Sequence, residues 1–399
     1  MSKLRIKNFG PITEGLENNE FLDISKLTVF IGNQGTGKST VAKLFSTFAW
    51  MEKNLFKKNV SSLAVFSKNY FHKRLQFHKI DSYLKKDTEI EYKGDYFTIL
   101  YKAGGLTSDG INKKSYVVPK IQYIPAERNL LSIVDKYAQI SYLPESLQDF
   151  MFVYDLAVQS DCVQNLELPI NNLKIRYNKR KHKVELYNND YEILLSEASS
   201  GLQSFVPYYV VQKFLIDEVF FGKKNFSFKN LEERRKVFDI FQRQNGDTPV
   251  SDDELIEFAL KNSELIFNSC LISILEEPEQ NLFPISQKNM IFDLLSNLSF
   301  SKNNKLLLTT HSPYLLPYIN SAVKASELIK KNPEKRKEIE KVIPSVSHLQ
   351  SEDVHVYELS DGKITELKKV KNIASDENLL NQELEETNEF YRSLLKAGM

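Results

Sequence analysis

Residues 32–39 read Gly32-Asn33-Gln34-Gly35-Thr36-Gly37-Lys38-Ser39 and fit the pattern G-x-x-x-x-G-K-S/T at every fixed position. Glycines let a backbone curl until successive N–H groups point inward, and such a nest binds phosphate oxygens. Asn33, Gly35, Thr36, Gly37, Lys38, Ser39 and Thr40 are therefore the candidate phosphate-binding residues. Lys38 is expected to reach the β- and γ-phosphates of a nucleotide, and the Ser39 hydroxyl to ligate magnesium.

Three further segments carry reactive groups. Residues 271–279 read Leu-Ile-Ser-Ile-Leu-Glu-Glu-Pro-Glu, an apolar run that delivers Glu276 and Glu277 side by side. Adjacent carboxylates at a buried strand end are costly unless a cation or a reaction needs them. One can hold the magnesium shell while the next orients or deprotonates an attacking water. Residues 306–313 read Leu-Leu-Leu-Thr-Thr-His-Ser-Pro, a second apolar run ending at His311. Residues 196–204 hold Ser199, Ser200 and Gly201 ahead of a helix-compatible stretch, and small residues at a helix start form a second phosphate-seeking surface.

These groups need elements to hold them. Leu4, Ile6 and Phe9 give a strand turned by Gly10-Pro11, and 26–32 give another that runs into the glycine loop. Val41, Leu44, Phe45, Phe48 and Ala49 recur at helical spacing after it. Residues 88–124 read as strands around turns at Gly104-Gly105 and Asp109-Gly110, and 173–187 as a hairpin with a basic tip. Residues 206–270 read as mainly helical with a break near Gly246, and a charged helix is expected over about 325–341. A last hairpin turns at Asp361-Gly362, and an acidic helix is expected from 376 to the end. Strands alternating with helices imply an α/β fold of the P-loop NTPase class, in which both acidic and histidine strand ends face the γ-phosphate.

Composition bounds the rest. The 399 residues hold 53 Lys plus Arg against 52 Asp plus Glu, a formal charge of +1, and 42% are hydrophobic. Those values exclude wholesale disorder and collagen-like architectures. No apolar run approaches the length of a membrane helix, and the start lacks the apolar core of a signal peptide, so a cytoplasmic protein without membrane contact is expected. Cys162 and Cys270 make neither a disulfide framework nor a zinc site. The near-neutral total hides segregation. Residues 53–86 carry nine Lys or Arg and one acid, with aromatics interleaved, and the acids Asp376, Glu377, Glu383, Glu385, Glu386 and Glu389 face no base in their own stretch.

The order of phosphate loop, serine-glycine stretch, acidic strand and histidine strand resembles the ABC-type ATPase head, in particular the branch with SMC, RecF and OLD-family proteins. Residues 4–12 are similar to the first strand of those heads, and 276–284 look like an OLD-like Walker B and D-loop. Residues 309–316 look like the switch-histidine loop, and Tyr123-Ile124-Pro125-Ala126-Glu127-Arg128 resembles a segment common in the group. The motifs span residues 4 to 316. The resemblance implies one two-lobed head over 1–399, with a basic insertion at 53–86, a helical insertion at 206–270 and an acidic C-terminal helix at 376–399. It implies ATP and magnesium as cofactors, Glu277 and His311 as catalytic residues, and Glu276 with Ser39 on the metal. It also implies that Ser199, Ser200 and Gly201 contact the ATP of a second subunit, so that two heads sandwich two nucleotides.

Some positions depart from the family pattern. Glu276 stands where Asp is usual, Ser200 replaces a signature glycine, and Leu202 replaces another common residue. The stretch between Lys38 and Ser199 shows no heptads, unlike SMC arms, and the stretch after the His311 loop is short for a Toprim domain. Asp361 with Glu366 and Lys368, and Asp87 with Glu91 and Lys93, superficially match a nuclease pattern but read as hairpin surface charge. The implied role is an ATPase that acts as sensor or scaffold for a separately encoded effector, expected to be a nuclease, in prokaryotic antiphage defence. A RecF-like repair ATPase that binds DNA through Lys53–Lys86 and Lys174–Lys183 is the alternative, and a transporter ATPase the third.

Overall fold

A computed structural model describes residues 2–57, 67–111, 116–134, 137, 140–221, 231–246, 249–261 and 267–397. Parts of the expected basic insertion (58–66) and helical insertion (222–230, 247–248, 262–266) lie outside the described residues.

The chain opens with β1 (Ser2–Phe9), β2 (Gly15–Leu16), β3 (Leu22–Ile24) and β4 (Leu27–Gly32), and helix α1 (Lys38–Phe56) follows the glycine loop. After α2 (Lys68–Gln76) come β5 (Leu84–Lys93), β6 (Phe97–Lys102), β7 (Gly105–Ile111) and β8 (Pro119–Ile124). Helix α3 (Glu145–Gln159) leads to a small sheet of β9 (Leu166–Glu167), β10 (Lys174–Asn178), β11 (Lys183–Tyr187) and β12 (Glu192–Leu194). Next come α4 (Ser200–Ile216), α5 (Leu231–Asn245), α6 (Asp252–Lys261), β13 (Cys270–Glu276), α7 (Pro284–Asn297) and β14 (Lys305–Thr309). Helices α8 (Leu315–Lys331) and α9 (Arg336–Val342), the hairpin β15 (Val354–Ser360) and β16 (Lys363–Glu366), and α10 (Leu379–Ala397) close it.

The central sheet has seven strands in the order β2-β16-β15-β4-β14-β13-β8. Neighbours from β15 to β8 pair in parallel, so β4, β13 and β14 end on one edge. Both faces of these strands are covered, which is why they read as near-continuous apolar runs rather than alternating ones. Phe30, Ile274 and Leu307 point to one face, where Val41, Leu44, Phe45, Phe48 and Met51 of α1 cover them. The far side of α1 packs on Leu4, Ile6, Tyr92 and Ile99 of a five-stranded antiparallel sheet, β3-β1-β5-β6-β7. Helix α1 is thus pinned between two sheets. Each of its buried large apolar side chains contributes about 1.5–3 kcal/mol, enough together to outweigh a strained loop at its start. Val29, Ile31, Leu275 and Leu308 face the other side, against α3, α4, α7 and α8. Among the described residues no helix is long and apolar enough to cross a membrane.

Several local expectations change. The helix expected over 325–341 is two helices, because Pro333 follows α8 and cannot continue its hydrogen bonding. Asp109-Gly110 is not a turn but lies inside β7, where Thr98 faces Asp109 and Phe97 faces Ile111, leaving Gly110 as the extra residue of a bulge. Residues 206–216 are the body of α4, buried in the main core.

Candidate active site

Gly37 sits at the start of α1 with φ 103°, a left-handed conformation that a side chain resists, and the Thr36 hydroxyl donates to the Asn33 carbonyl at 2.8 Å. The loop wraps back so that the buried Lys38 ammonium donates to the carbonyls of Gly32 (2.8 Å) and Asn33 (2.6 Å). Asn33 and Gly35 are exposed, Thr36 and Ser39 half-buried, and Thr40 buried. The first amides of α1 have no intrahelical acceptor and add positive potential at the same place. Burial lowers the Lys38 pKa to about 8, against the opposing pull of Glu277, Glu279 and Glu276. The three acids that influence Lys38 come from the end of β13, two strands away in the sheet.

Glu276 is the last residue of β13 and is buried, and its Oε1 has no hydrogen-bond partner. An orphaned carboxylate oxygen in an interior is expensive unless a cation takes it. That atom, with the Ser39 hydroxyl, makes the pair fit for a magnesium ion. Glu277 follows with φ 43°, which is left-handed and unfavourable for a residue with a Cβ. Its N–H donates to the Thr309 carbonyl at 2.9 Å, tying it to the end of β14. His311 leaves the same strand, and its Nε2 lies 3.6 Å from Glu277 Oε1. Burial, and then the charge of Lys38, hold the His311 pKa below the usual value. The structure therefore brings Lys38, Ser39, Glu276, Glu277 and His311 to one sheet edge, the carboxyl ends of parallel strands where such folds take ligands.

Ser199, Ser200 and Gly201 open α4. Ser199 precedes the helix without a side-chain cap bond, and both serines are exposed. Gly201 is buried, and a Cβ there would stand 2.6 Å from the Asn281 carbonyl oxygen, so glycine is required by packing within the chain. Asn281 also donates from its side chain to Ser204 Oγ at 3.2 Å.

Three residues with no assigned role organise this edge. The half-buried Glu279 accepts from Thr310 Oγ1 (2.7 Å) and from the His311 N–H (2.8 Å), fixing the histidine's backbone. Burial raises its pKa. Arg128 is fully buried and donates to the carbonyls of Pro125, Ser204, Glu276 and Glu277. Tyr123, on β8, is buried with its hydroxyl beside the Glu276 carboxylate but in no well-formed hydrogen bond to it, and burial first, then that charge, hold its pKa well above the usual value. Arg128 and Tyr123 lie in the segment 123–128, whose pattern is readable in the sequence but whose partners are not. Gln122 belongs to β8, and its amide donates to the Tyr123 carbonyl and to Asp149.

The basic segments are only partly surface charge. Lys53 is half-buried and donates to Asn268 Oδ1 at 3.0 Å, and burial lowers its pKa to about 7. Phe71 is fully buried against Phe48 and Tyr101, and the Arg74 guanidinium lies 4.5 Å over the Trp50 ring. Lys73, Lys79, Lys85 and Lys86 are exposed. In the hairpin, Arg176 pairs with Glu185 (2.8 Å) and Glu192 (2.6 Å), and Lys181 with Glu185 (3.0 Å). Of the superficial nuclease patterns, Glu91 pairs with Arg5, and Glu366 with His355 at 2.6 Å. Among the described residues no group of His, Cys, Asp and Glu is arranged to hold a metal by itself.

A phosphate loop that runs from a central parallel strand into a buried helix, with an antiparallel sheet on one flank and a helical lobe carrying Ser199–Gly201 on the other, is an α/β arrangement of the P-loop NTPase kind. No protein-family profile matches the chain, and no curated protein matches it. Among solved structures, the chain is similar to an SMC head domain from Thermotoga maritima, with 10% identity, TM-score 0.38, and 92% of this chain and 98% of the other covered. A Pyrococcus furiosus Smc head with an extended coiled coil, bound to the C-terminal domain of ScpA, gives 9% identity and TM-score 0.37, covering 99% and 100%. A nucleotide-free ATP-binding cassette from an ABC transporter gives 12% identity and TM-score 0.31, covering 93% of each chain.

Proposed function

We propose that this protein binds and hydrolyses ATP, and that the observation carrying this is the convergence of Lys38, the orphaned Glu276 oxygen, Glu277 and His311 on one edge. Residues 33–40 bind the phosphates through backbone N–H groups and the Lys38 ammonium. Ser39 and Glu276 would hold magnesium, which neutralises charge on the β- and γ-phosphate oxygens. Glu277 orients water and takes its proton as the water oxygen attacks the γ-phosphorus. The bond to the bridging oxygen breaks, releasing ADP and phosphate. His311 can donate a ring N–H to the γ-phosphate while Glu277 takes the water's proton.

A head-to-head homodimer is part of the proposal. The support is Ser199 and Ser200, whose exposed positions at a helix start leave them available to a second subunit's nucleotide. ATP would bias an open–closed equilibrium and hydrolysis would reset it. On the motif order we extend the reading to a sensor or scaffold for a separately encoded effector, a nuclease, in antiphage defence. Co-purification with a neighbouring gene product tests that part. The RecF-like reading has less support, because the aromatic Phe71 packs inward, Lys53 is half-buried with its ammonium on Asn268, and Arg176 and Lys181 are paired. DNA-stimulated turnover with a steep salt dependence would reverse that preference.

The central test is Glu277→Gln with ATP and magnesium, followed by light scattering. Slow turnover and an ATP-stabilised dimer are expected. Turnover like that of the wild type would refute the catalytic assignment, and assembly indifferent to ATP would refute the shared-nucleotide dimer.

A further inference from the structure

We propose that Arg128 is a positioning residue that makes the serine-bearing helix α4 and the reactive end of β13 move as one unit. This rests on the ATPase reading above and extends it to how a second subunit's docking reaches Glu277.

The guanidinium lies between the two elements. Its Nε donates to the Ser204 carbonyl in the second turn of α4 at 2.9 Å. One terminal nitrogen donates to the Glu276 carbonyl at 2.6 Å and the Pro125 carbonyl at 3.1 Å, and the other to the Glu277 carbonyl at 2.6 Å. The plane lies 5.1 Å from the centre of the Tyr208 ring, one turn further along α4. Arg128 has 0% exposure. These four acceptors are all backbone carbonyls, so the buried charge is used to fix main-chain positions in three separate segments. A planar fork with five donors can do this, and a lysine ammonium cannot.

Two observations take this beyond a packing role. First, Glu277 is held in a left-handed backbone conformation with its carbonyl on Arg128 and its N–H on Thr309. The backbone dihedrals that aim the carboxylate are therefore set from both sides. Second, a parallel route joins the same two regions, since Gly201 abuts the Asn281 carbonyl and Ser204 Oγ accepts from Asn281. A shift of α4 when Ser199 and Ser200 engage a partner's nucleotide must move the Glu276 and Glu277 carbonyls or break the fork.

The test is Arg128→Lys, measured in four ways: melting temperature, affinity for a fluorescent ATP analogue, ATP-driven association, and kcat as a function of protein concentration. Analogue affinity within about threefold of wild type and retained association are expected, with kcat down about thirtyfold or more and no longer rising as heads associate. An unchanged kcat would overturn the proposal. So would a parallel loss of affinity, association and kcat with a lowered melting temperature, which marks a packing role alone. Hydrogen exchange on the otherwise native chain, with Glu277→Gln to slow turnover, is independent of whether Arg128→Lys folds. ATP should then protect residues 200–205 and 276–279 together; protection of the first segment alone would also overturn it. If wild-type protein hydrolyses no ATP, the nucleotide reading itself has failed. If wild type turns over, Glu277→Gln does not, and Arg128→Lys matches wild type, only the Arg128 role has failed.

Discussion

Glu277 Oε1 and His311 Nε2 lie 3.6 Å apart although they leave different strands. The pair is held from behind: Thr309 accepts from the Glu277 N–H, and Glu279 accepts from the His311 N–H. The separation is longer than a hydrogen bond, which leaves both groups free to face a third one, water or phosphate. His311→Ala should lower kcat about tenfold to a hundredfold with little change in ATP affinity. Added to Glu277→Gln it should cost little more, because two groups serving one transition state are not additive. Steady-state kinetics of the single and double variants checks this. Additive losses would mean that the two act in separate steps.

Lys38 gives a pH signature to binding. In the nucleotide-free protein its pKa is lowered to about 8 by burial. Phosphate charge beside the ammonium raises it, so the bound state holds more protons above that value. Binding then takes up protons, and affinity falls by up to about tenfold per pH unit as pH rises past 8. Calorimetry in two buffers of different ionisation enthalpy measures the uptake directly. Lys38→Met should bind weakly and lose the dependence.

The glycine and serine at the start of α4 should separate stability from assembly. At Gly201 a Cβ meets the Asn281 carbonyl oxygen at 2.6 Å, so Gly201→Ala must push α4 away from the turn after β13. A loss of about 1–3 kcal/mol in urea unfolding is expected, despite alanine's better helix propensity. Ser200 is exposed, so Ser200→Ala should change stability by less than about 0.5 kcal/mol while weakening ATP-driven association. A Gly201→Ala protein as stable as wild type would show that the turn yields.

Much of the site is legible in the residues alone. The strand, glycine loop and helix at 27–56 are readable because local chemistry and periodicity agree there. The acidic and histidine strands are readable as short apolar runs ending in polar groups. That β14 lies between β4 and β13 is not readable, since strand order depends on long-range pairing. Arg128 escapes for the same reason: its acceptors are carbonyls at positions 125, 204, 276 and 277, and a carbonyl has no sequence signal. Lys53 misleads because charge counts assume exposure, whereas it is half-buried with its ammonium on Asn268.

Glu52 tests how the loop helix is oriented. It sits on α1, 2% exposed, and its carboxylate accepts from Tyr92 Oη (2.7 Å) and from the N–H groups of Tyr96 (2.6 Å) and Phe97 (3.1 Å). These bonds fasten α1 to the β5–β6 turn. Burial raises its pKa above the usual carboxylate value, outweighing the three donors. The folded state then binds the proton more tightly than the unfolded chain. Stability from this group is greatest below the unfolded-state pKa and is lost as pH rises through the folded one. Glu52→Gln keeps an acceptor for both N–H groups and a donor for Tyr92, and it removes the buried charge. Its stability at neutral pH should equal or exceed that of wild type, with a flatter pH profile. Glu52→Ala strands the buried Tyr92 hydroxyl and two half-buried N–H groups and should destabilise by about 2–4 kcal/mol. Urea unfolding across pH distinguishes these outcomes. A glutamine variant as damaged as the alanine variant would mean that the charge itself, rather than the hydrogen-bond geometry, holds α1 in place.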